Sequence, residues 1–469
     1  MANPETPGSP LADIGSRSFS RRAVLKGMAG VAGVAAVPAL LAACGASATP
    51  SPSASSPATN PPSNPATNPP ATNPPASVAA GALTFGSNYS NKDTDTKAMQ
   101  AVVDAFTAKT GITVKVNTVN HNDFQTQISS YLQGTPDDVF TWFAGYRMRT
   151  YANQGLAGDI SDIWAKIGSN YADAFKTAST GDDGKQYFIP FYNYPWVVIY
   201  RKSVFAANSW DVPKTWAEFK ALGDKAKAKG LVPLAFADKD GWPAMGTFDI
   251  LNMRLNGYKF HVDLMAGKEK WADPKVAQVF STWKELIPYQ QEGALGRTWQ
   301  QAADGLVAKT SAMYFLGTFA GQQATKKEDH DDLDFFPFPT LGTSFDTELG
   351  IDAPIDGFML SAKAKNVDTG KAFLDYLSTG PAQIIFQNIN PNGVAAAKDA
   401  DTSGYDAFQK KSAEIIGGSG AIAQFLDRDT KPEFADEMIK KLQTFLTDPT
   451  GTDLTKFTSD IQKFWDSLT

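Results

Sequence analysis

The chain has 469 residues, with 43 Lys and Arg against 49 Asp and Glu, a formal net charge of -6 and 12% aromatic side chains. An acidic balance of this kind excludes nucleic acid and an anionic membrane face as partners, since neither attracts it. The single cysteine, Cys44, excludes a disulfide within the chain.

Residues 1–43 read as an export leader. Ser20, Arg21, Arg22, Ala23, Val24, Leu25 and Lys26 resemble a twin-arginine signal, with Val24 where Phe is usual, and an apolar run closes on Leu41, Ala42 and Ala43 directly before Cys44, as in a bacterial lipobox. The span from Ala23 to Leu41 is long enough for a transmembrane helix, but Lys26, Gly27, Gly30, Gly33 and Pro38 leave it weakly apolar. The pattern therefore predicts cleavage before Cys44, lipid on its thiol, and a charge of -8 on the mature chain once the leader's charges are gone. Residues 44–81 form a Pro/Asn/Thr-rich tether. Between Gly45 and Ala80 no residue is charged and Ala-Thr-Asn-Pro-Pro recurs, a composition unable to bury enough apolar surface to fold, with a reach of about 110 Å if fully polyproline-like.

From Leu83 onward the chain suffices for two α/β lobes. In chain order the pattern predicts a strand at Leu83–Gly86, a helix from about Thr94 to Gly111, a strand at Ile112–Asn117, a helix capped by Asp123 and ended by Gly134, and a strand at Asp138–Phe143. Alternation of this kind builds a parallel sheet that places ligands past the carboxyl ends of its strands, where Asn88, Tyr89, His121, Asn122 and Trp142 lie. A second lobe starts after the Pro-bounded stretch Ile189–Tyr200. It contains a helix from Trp216 to Gly230, a strand at Val232–Phe236, a helix over Trp271–Tyr289 and a strand at Ser311–Leu316. Strands at Asp334–Phe338 and Gly350–Leu360, a helix at Thr369–Leu377 and helical Lys431–Leu468, broken near Pro449, complete the series.

This order, with Leu-Thr-Phe-Gly-Ser-Asn at 83–88, Thr-Pro-Asp-Asp-Val-Phe-Thr-Trp at 135–142, Tyr-Arg-Lys-Ser-Val-Phe at 200–205, Pro-Lys-Thr-Trp-Ala-Glu-Phe at 213–219, Lys-Thr-Ser-Ala-Met-Tyr-Phe-Leu-Gly at 309–317 and Phe-Pro-Thr-Leu-Gly at 338–342, resembles the family 1 extracellular solute-binding proteins, the maltose-binding-protein-like receptors of carbohydrate ABC importers. The resemblance covers nearly all of Leu83–Thr469. It implies a type II periplasmic-binding-protein-like fold of two discontinuous α/β lobes joined by a hinge, here 82–194 plus 338–390 and 195–337 plus 391–469, with crossovers near Asn193–Pro195, Asp334–Pro337 and Asn390–Gly393. It also implies a lipid-anchored monomer on the extracytoplasmic face that binds a carbohydrate between the lobes and hands it to importer permease subunits. No cofactor, metal or nucleic acid is implied. Carried over, Trp142 matches a first-lobe stacking aromatic, Trp242 lies in the second-lobe loop that usually carries another, and Phe319 matches a stacking position usually held by Trp. Two departures stand out: Gly145 and Tyr146 replace a charged pair, and Asp356–Gly357 replaces a common Gly-Gly.

The residue chemistry fits the same role. Aromatic rings cover the C–H face of a pyranose, and carboxylates and amides take its hydroxyls. The candidate ligand contacts are Asn88, Tyr89, His121, Asn122, Trp142, Trp242, Phe319, Asp352, Asp356 and Arg428. Most rings of a chain this size are core, Asn122 doubles as a cap and Arg428 as a solvated helix-end charge. His121, His261 and His330 show no metal-ligand spacing, and no phosphate loop or nucleophile elbow occurs in the mature chain. Two alternatives stay open: a binding protein for another polar solute such as a glycerophosphodiester, and a surface carbohydrate-active enzyme whose paired carboxylates meet only in three dimensions.

Overall fold

A computed structural model describes residues 82–348 and 350–468, which fall within one compact unit. The leader, Cys44 and the tether lie outside the described residues. The strands are β1 (Leu83–Ser87), β2 (Val114–Thr118), β3 (Val139–Phe143), β4 (Ile189–Asn193), β5 (Trp196–Arg201), β6 (Val232–Ala235), β7 (Ser311–Gly317), β8 (Leu333–Phe336), β9 (Ile351–Asp352), β10 (Ile355–Leu360), β11 (Val394–Ala395) and β12 (Ile422–Ala423).

The first lobe is a six-stranded sheet in the order β11-β4-β10-β3-β1-β2. β1 runs parallel to β2 and β3, while β10 inserts antiparallel between β3 and β4. Strand alternation divides its apolar residues between two faces. Phe85, Val139 and Phe358 pack under the helices Asp95–Thr110 and Val367–Leu377; Phe140, Trp142 and Met359 pack under the helix His121–Gln133. The second lobe is a four-stranded sheet in the order β6-β7-β5-β8, wrapped by helices that include Pro243–Asn256, Pro274–Leu286 and Pro432–Thr447 around one large core.

The first crossover falls at Tyr194–Pro195, between β4 and β5. The second does not fall near Asp334–Pro337. Phe338 belongs to the second core, Thr343 Oγ1 donates to the Arg254 carbonyl at 2.6 Å, and β9 pairs with β12, so the chain stays with the second lobe until Ala353–Pro354. Pro354 stops the expected long strand Gly350–Leu360 because proline cannot donate to a ladder. The return also comes later than Asn390–Gly393: β11 pairs with β4 and Ala397 lies in the first core, whereas Phe408 lies in the second. Two helix starts also shift. Asn120, not Asp123, caps His121–Gln133 by accepting the Asn122 N–H, and Asp273 caps Pro274–Leu286, leaving Trp271 outside that helix.

Candidate ligand-binding cleft

Carboxyl ends of strands from both sheets converge on a cavity of about 270 Å³. From the first lobe come Asn88 and Tyr89 after β1, His121 after β2, Trp142 at the end of β3 and Asp356 in β10; from the second come Trp242 after β6, Phe319 after β7, and Arg428 on the turn Leu426–Asp429. Eight of the ten candidate residues thus line one space. Asn122 lines an adjoining cavity with Arg147 and Asp240, while its Oδ1 accepts the Trp242 indole N–H at 3.4 Å. Asp352 does not reach the cleft: the β9–β12 pairing turns it into the second lobe, where none of its surface is exposed.

Arg428 organises the polar floor. Its Nη1 donates to Asp356 Oδ1 at 2.8 Å, its Nη2 to the Tyr194 hydroxyl at 3.3 Å, and the guanidinium lies 4.1 Å from the Phe143 ring centre. The alternative reading of Arg428 as a solvated helix-end charge is therefore ruled out, since the residue is buried and both its Nη atoms donate hydrogen bonds. Tyr192 donates to the other Asp356 oxygen at 3.2 Å. Two of the residues that depart from the family pattern find their reason here, Asp356 as the partner of Arg428 and Tyr192, and Gly145 by its backbone, while Gly357 keeps a glycine the fold requires. Gly145 has φ +75, and a Cβ there would stand 2.5 Å from the Arg428 carbonyl oxygen; Gly357 sits where a Cβ would meet the Ile189 carbonyl at 2.0 Å. The glycine after β3 thus lets the Arg428 backbone come close.

Several polar atoms of residues lining the cavity make no hydrogen bond among the described residues. Asp95 Oδ1, Asp427 Oδ1 and Arg428 Nε are buried without a hydrogen bond, the last two standing 3.9 Å apart. Burial raises the Asp95 carboxyl to about 7. Burial, followed by the nearby Arg428 and Arg147 charges, lowers His121 to about 4, so its ring is neutral at neutral pH.

The aromatic walls are thicker than the sequence indicates. Trp142 is only 1% exposed and packs among Phe124, Phe143 and Tyr151, which corrects the reading of it as an open stacking ring. Trp242 and Phe319 are partly exposed, 6.0 Å apart, and Phe319 also meets Tyr194 and Trp299. Tyr192, Tyr194, Trp196, Trp299, Gln322 and Asp427 line the cavity too. The first three alternate across the crossover, a period-two signal the sequence carries openly. Phe425 stacks on Trp196 at 4.8 Å with φ +108, a strained backbone for a non-glycine residue, as often found beside binding sites. A contact also joins the lobes across the cleft: Arg147 Nη1 lies 2.6 Å from Asp427 Oδ2, while within the first lobe it donates to Gln125 at 2.7 Å.

Two discontinuous α/β lobes with a polar and aromatic cavity between them define a type II periplasmic-binding-protein-like receptor. Residues 90–384 match the model of the bacterial extracellular solute-binding proteins, and the chain belongs to that family. A solved structure of the bacterial solute receptor AcbH, described as having an exclusive preference for β-D-galactopyranose, superposes with a TM-score of 0.80 at 45% identity, covering 83% of this chain and 100% of that one. An uncharacterised ABC transporter extracellular-binding protein of Pyrococcus horikoshii is 26% identical over 295 residues, which is 62% of this chain and 65% of the relative. The diacetylchitobiose-binding protein DasA of Streptomyces coelicolor is 28% identical over 280 residues, 57% of this chain and 63% of the relative. The chain thus spans just under two thirds of the length of these curated relatives.

Proposed function

We propose that this protein captures a small carbohydrate between its lobes and delivers it to the permease of an ABC importer. The observation that carries the reading is the meeting of partly exposed Trp242 and Phe319 with Asp95, Asp427 and Arg428, each of which keeps a polar atom without a hydrogen bond, in one cavity. Rings cover the apolar sugar face while a hydroxyl rim supplies the missing hydrogen bonds. A volume of about 270 Å³ sits just below the usual range for small-molecule sites, which favours one or two pyranose rings over a long chain. The preference ascribed to AcbH supports a single hexose. Within this role the protein works as a monomer, exported through its twin-arginine-like leader and held outside the cell membrane by lipid on Cys44. Its ligand contacts are Asn88, Tyr89, His121, Trp242, Phe319, Asp356 and Arg428, with Trp142 packed behind them, and the lobes close on the sugar about the crossovers.

A phosphodiester fits less well, because Arg428, the one Arg or Lys lining the cavity among the described residues, is already bound to Asp356. The deciding experiment is a melting-shift screen of purified protein against mono- and disaccharides with glycerophosphodiesters as controls; a hundredfold excess over Kd adds about 2.7 kcal/mol. A shift with hexoses supports the proposal. A shift with phosphodiesters alone, or release of reducing ends from oligosaccharides, replaces it.

A further inference from the structure

A second cluster lies where β9 leaves the cleft. Asp249 on the helix Pro243–Asn256, His261 on the helix Tyr258–Met265, and Asp352 in β9 have none of their surface exposed, and each offers a ligand atom within 4.8 Å of the other two. The sequence shows no such grouping, since the three residues come from separate segments. Asp249 Oδ1, His261 Nε2 and both Asp352 oxygens have no hydrogen-bond partner among the described residues. His261 Nε2 and Asp249 Oδ1 stand 3.9 Å apart, beyond hydrogen-bond reach. The neighbouring buried cation, Arg254, donates through Nη1 to the Gly350 carbonyl at 3.0 Å.

Carboxylate oxygens bare in a dry interior are costly until a cation or a proton takes them. Two carboxylates and an imidazole are the donor set of a borderline divalent ion. Ligands in tetrahedral array on an ion with bonds of about 2.0–2.2 Å stand about 3.3–3.6 Å apart, so atoms that lie within 4.8 Å of one another, with His261 Nε2 and Asp249 Oδ1 at 3.9 Å, need draw in only slightly to share one ion. We propose that Asp249, His261 and Asp352 bind a divalent cation, Zn²⁺ or Mn²⁺ by donor type, within the second lobe. Ligation through Nε2 places the imidazole proton on Nδ1, which lies 3.2 Å from the Asn252 amide nitrogen, so metal binding requires the Asn252 and Asn256 amides to turn over and gives up the Asn256 Nδ2 bond to the Lys275 carbonyl at 3.3 Å. Asp249 Oδ2 accepts the Leu426 N–H at 2.8 Å, so the ion braces the turn that carries Asp427 and Arg428. The competing occupant is a proton: burial, with the Asp352 charge second, raises the Asp249 carboxyl well above the usual range.

The test uses the whole protein purified without chelator, and no sugar. Elemental analysis should find about one equivalent of metal. After stripping with EDTA, Zn²⁺ or Mn²⁺ alone at a hundredfold excess over its dissociation constant should raise the melting temperature by about 3 °C. Asp352→Asn and His261→Gln should abolish that rise. Stripped wild type that responds to neither ion and co-purifies with no metal overturns the proposal and leaves protons in the cluster. So does a rise that persists undiminished in Asp352→Asn. The wild-type titration decides by itself if either variant fails to fold.

Discussion

Replacing Arg147 with Met keeps most of the stem and removes the charge that joins the lobes. Arg147 Nη1 and Asp427 Oδ2 are 2.6 Å apart with side chains 18% and 11% exposed, so solvent ions screen the pair weakly. A hydrogen bond to a charged group contributes about 1.5–3 kcal/mol. The partners belong to different lobes, so that energy exists only when the cleft is shut. If ligand binding is coupled to closure, the whole loss appears in affinity, and at 1.4 kcal/mol per factor of ten Arg147→Met should bind its sugar about 10- to 150-fold more weakly. Asp427→Asn and the double variant complete a cycle that separates this coupling from any contact Asp427 makes with the sugar. Calorimetry supplies the affinities, and small-angle scattering of the ligand-free variant should show a larger radius of gyration than ligand-free wild type. Equal affinity in wild type and Arg147→Met, with additive single variants, refutes the coupling of this ion pair to closure.

Trp242→Ala should weaken sugar binding by about one to two orders of magnitude at nearly constant melting temperature, whereas Trp142→Ala, at 1% exposure, should cost about 3–5 kcal/mol of stability. Denaturant melts alongside calorimetry tell the two apart, and a stable Trp142→Ala protein counts against its core role. Asp95 offers a pH test. Its folded pKa of about 7 lies above the ordinary 3.8, so the folded chain holds more protons between those values and stability falls as pH rises through that window. Asp95→Asn should flatten that part of the profile of melting temperature against pH, and a superimposable profile removes the carboxyl from the account. Cys44→Ser should release the protein from the membrane without unfolding it, as fractionation and immunoblotting would register; unchanged retention would sink the lipid anchor.

The parallel start of the first sheet, β1 to β3, was readable because β2 alternates, β3 is a short apolar run and the helices between them end at glycines, Gly111 and Gly134. Most cleft residues were readable for a related reason: they follow strand ends, and that is where a parallel sheet leaves open backbone and space. The helix Pro243–Asn256 was not legible, since 13 of its residues are buried and burial on every side erases the amphipathic period. Asp352 misled because two residues of β9 and the proline after them decide which lobe it faces, and that depends on a pairing with β12 about seventy residues downstream. Gly145 was visible as a departure, but its cause is the Arg428 carbonyl, a neighbour no local pattern reveals.

The insertion of β10 into the first sheet has a consequence for biosynthesis. β3 ends at Phe143 and β4 begins at Ile189, yet the strand that joins them starts only at Ile355, after the whole second sheet has been made. A nascent chain emerging in order therefore exposes two unpaired strand edges until its central strand arrives, and such non-local pairing is slow to form and open to aggregation meanwhile. The first lobe is thereby completed only after the second sheet, although its synthesis starts first. Truncations short of Leu360 should accumulate as insoluble protein, and an export route that accepts cargo after folding, as the twin-arginine-like leader suggests, lets those edges close before the chain crosses the membrane.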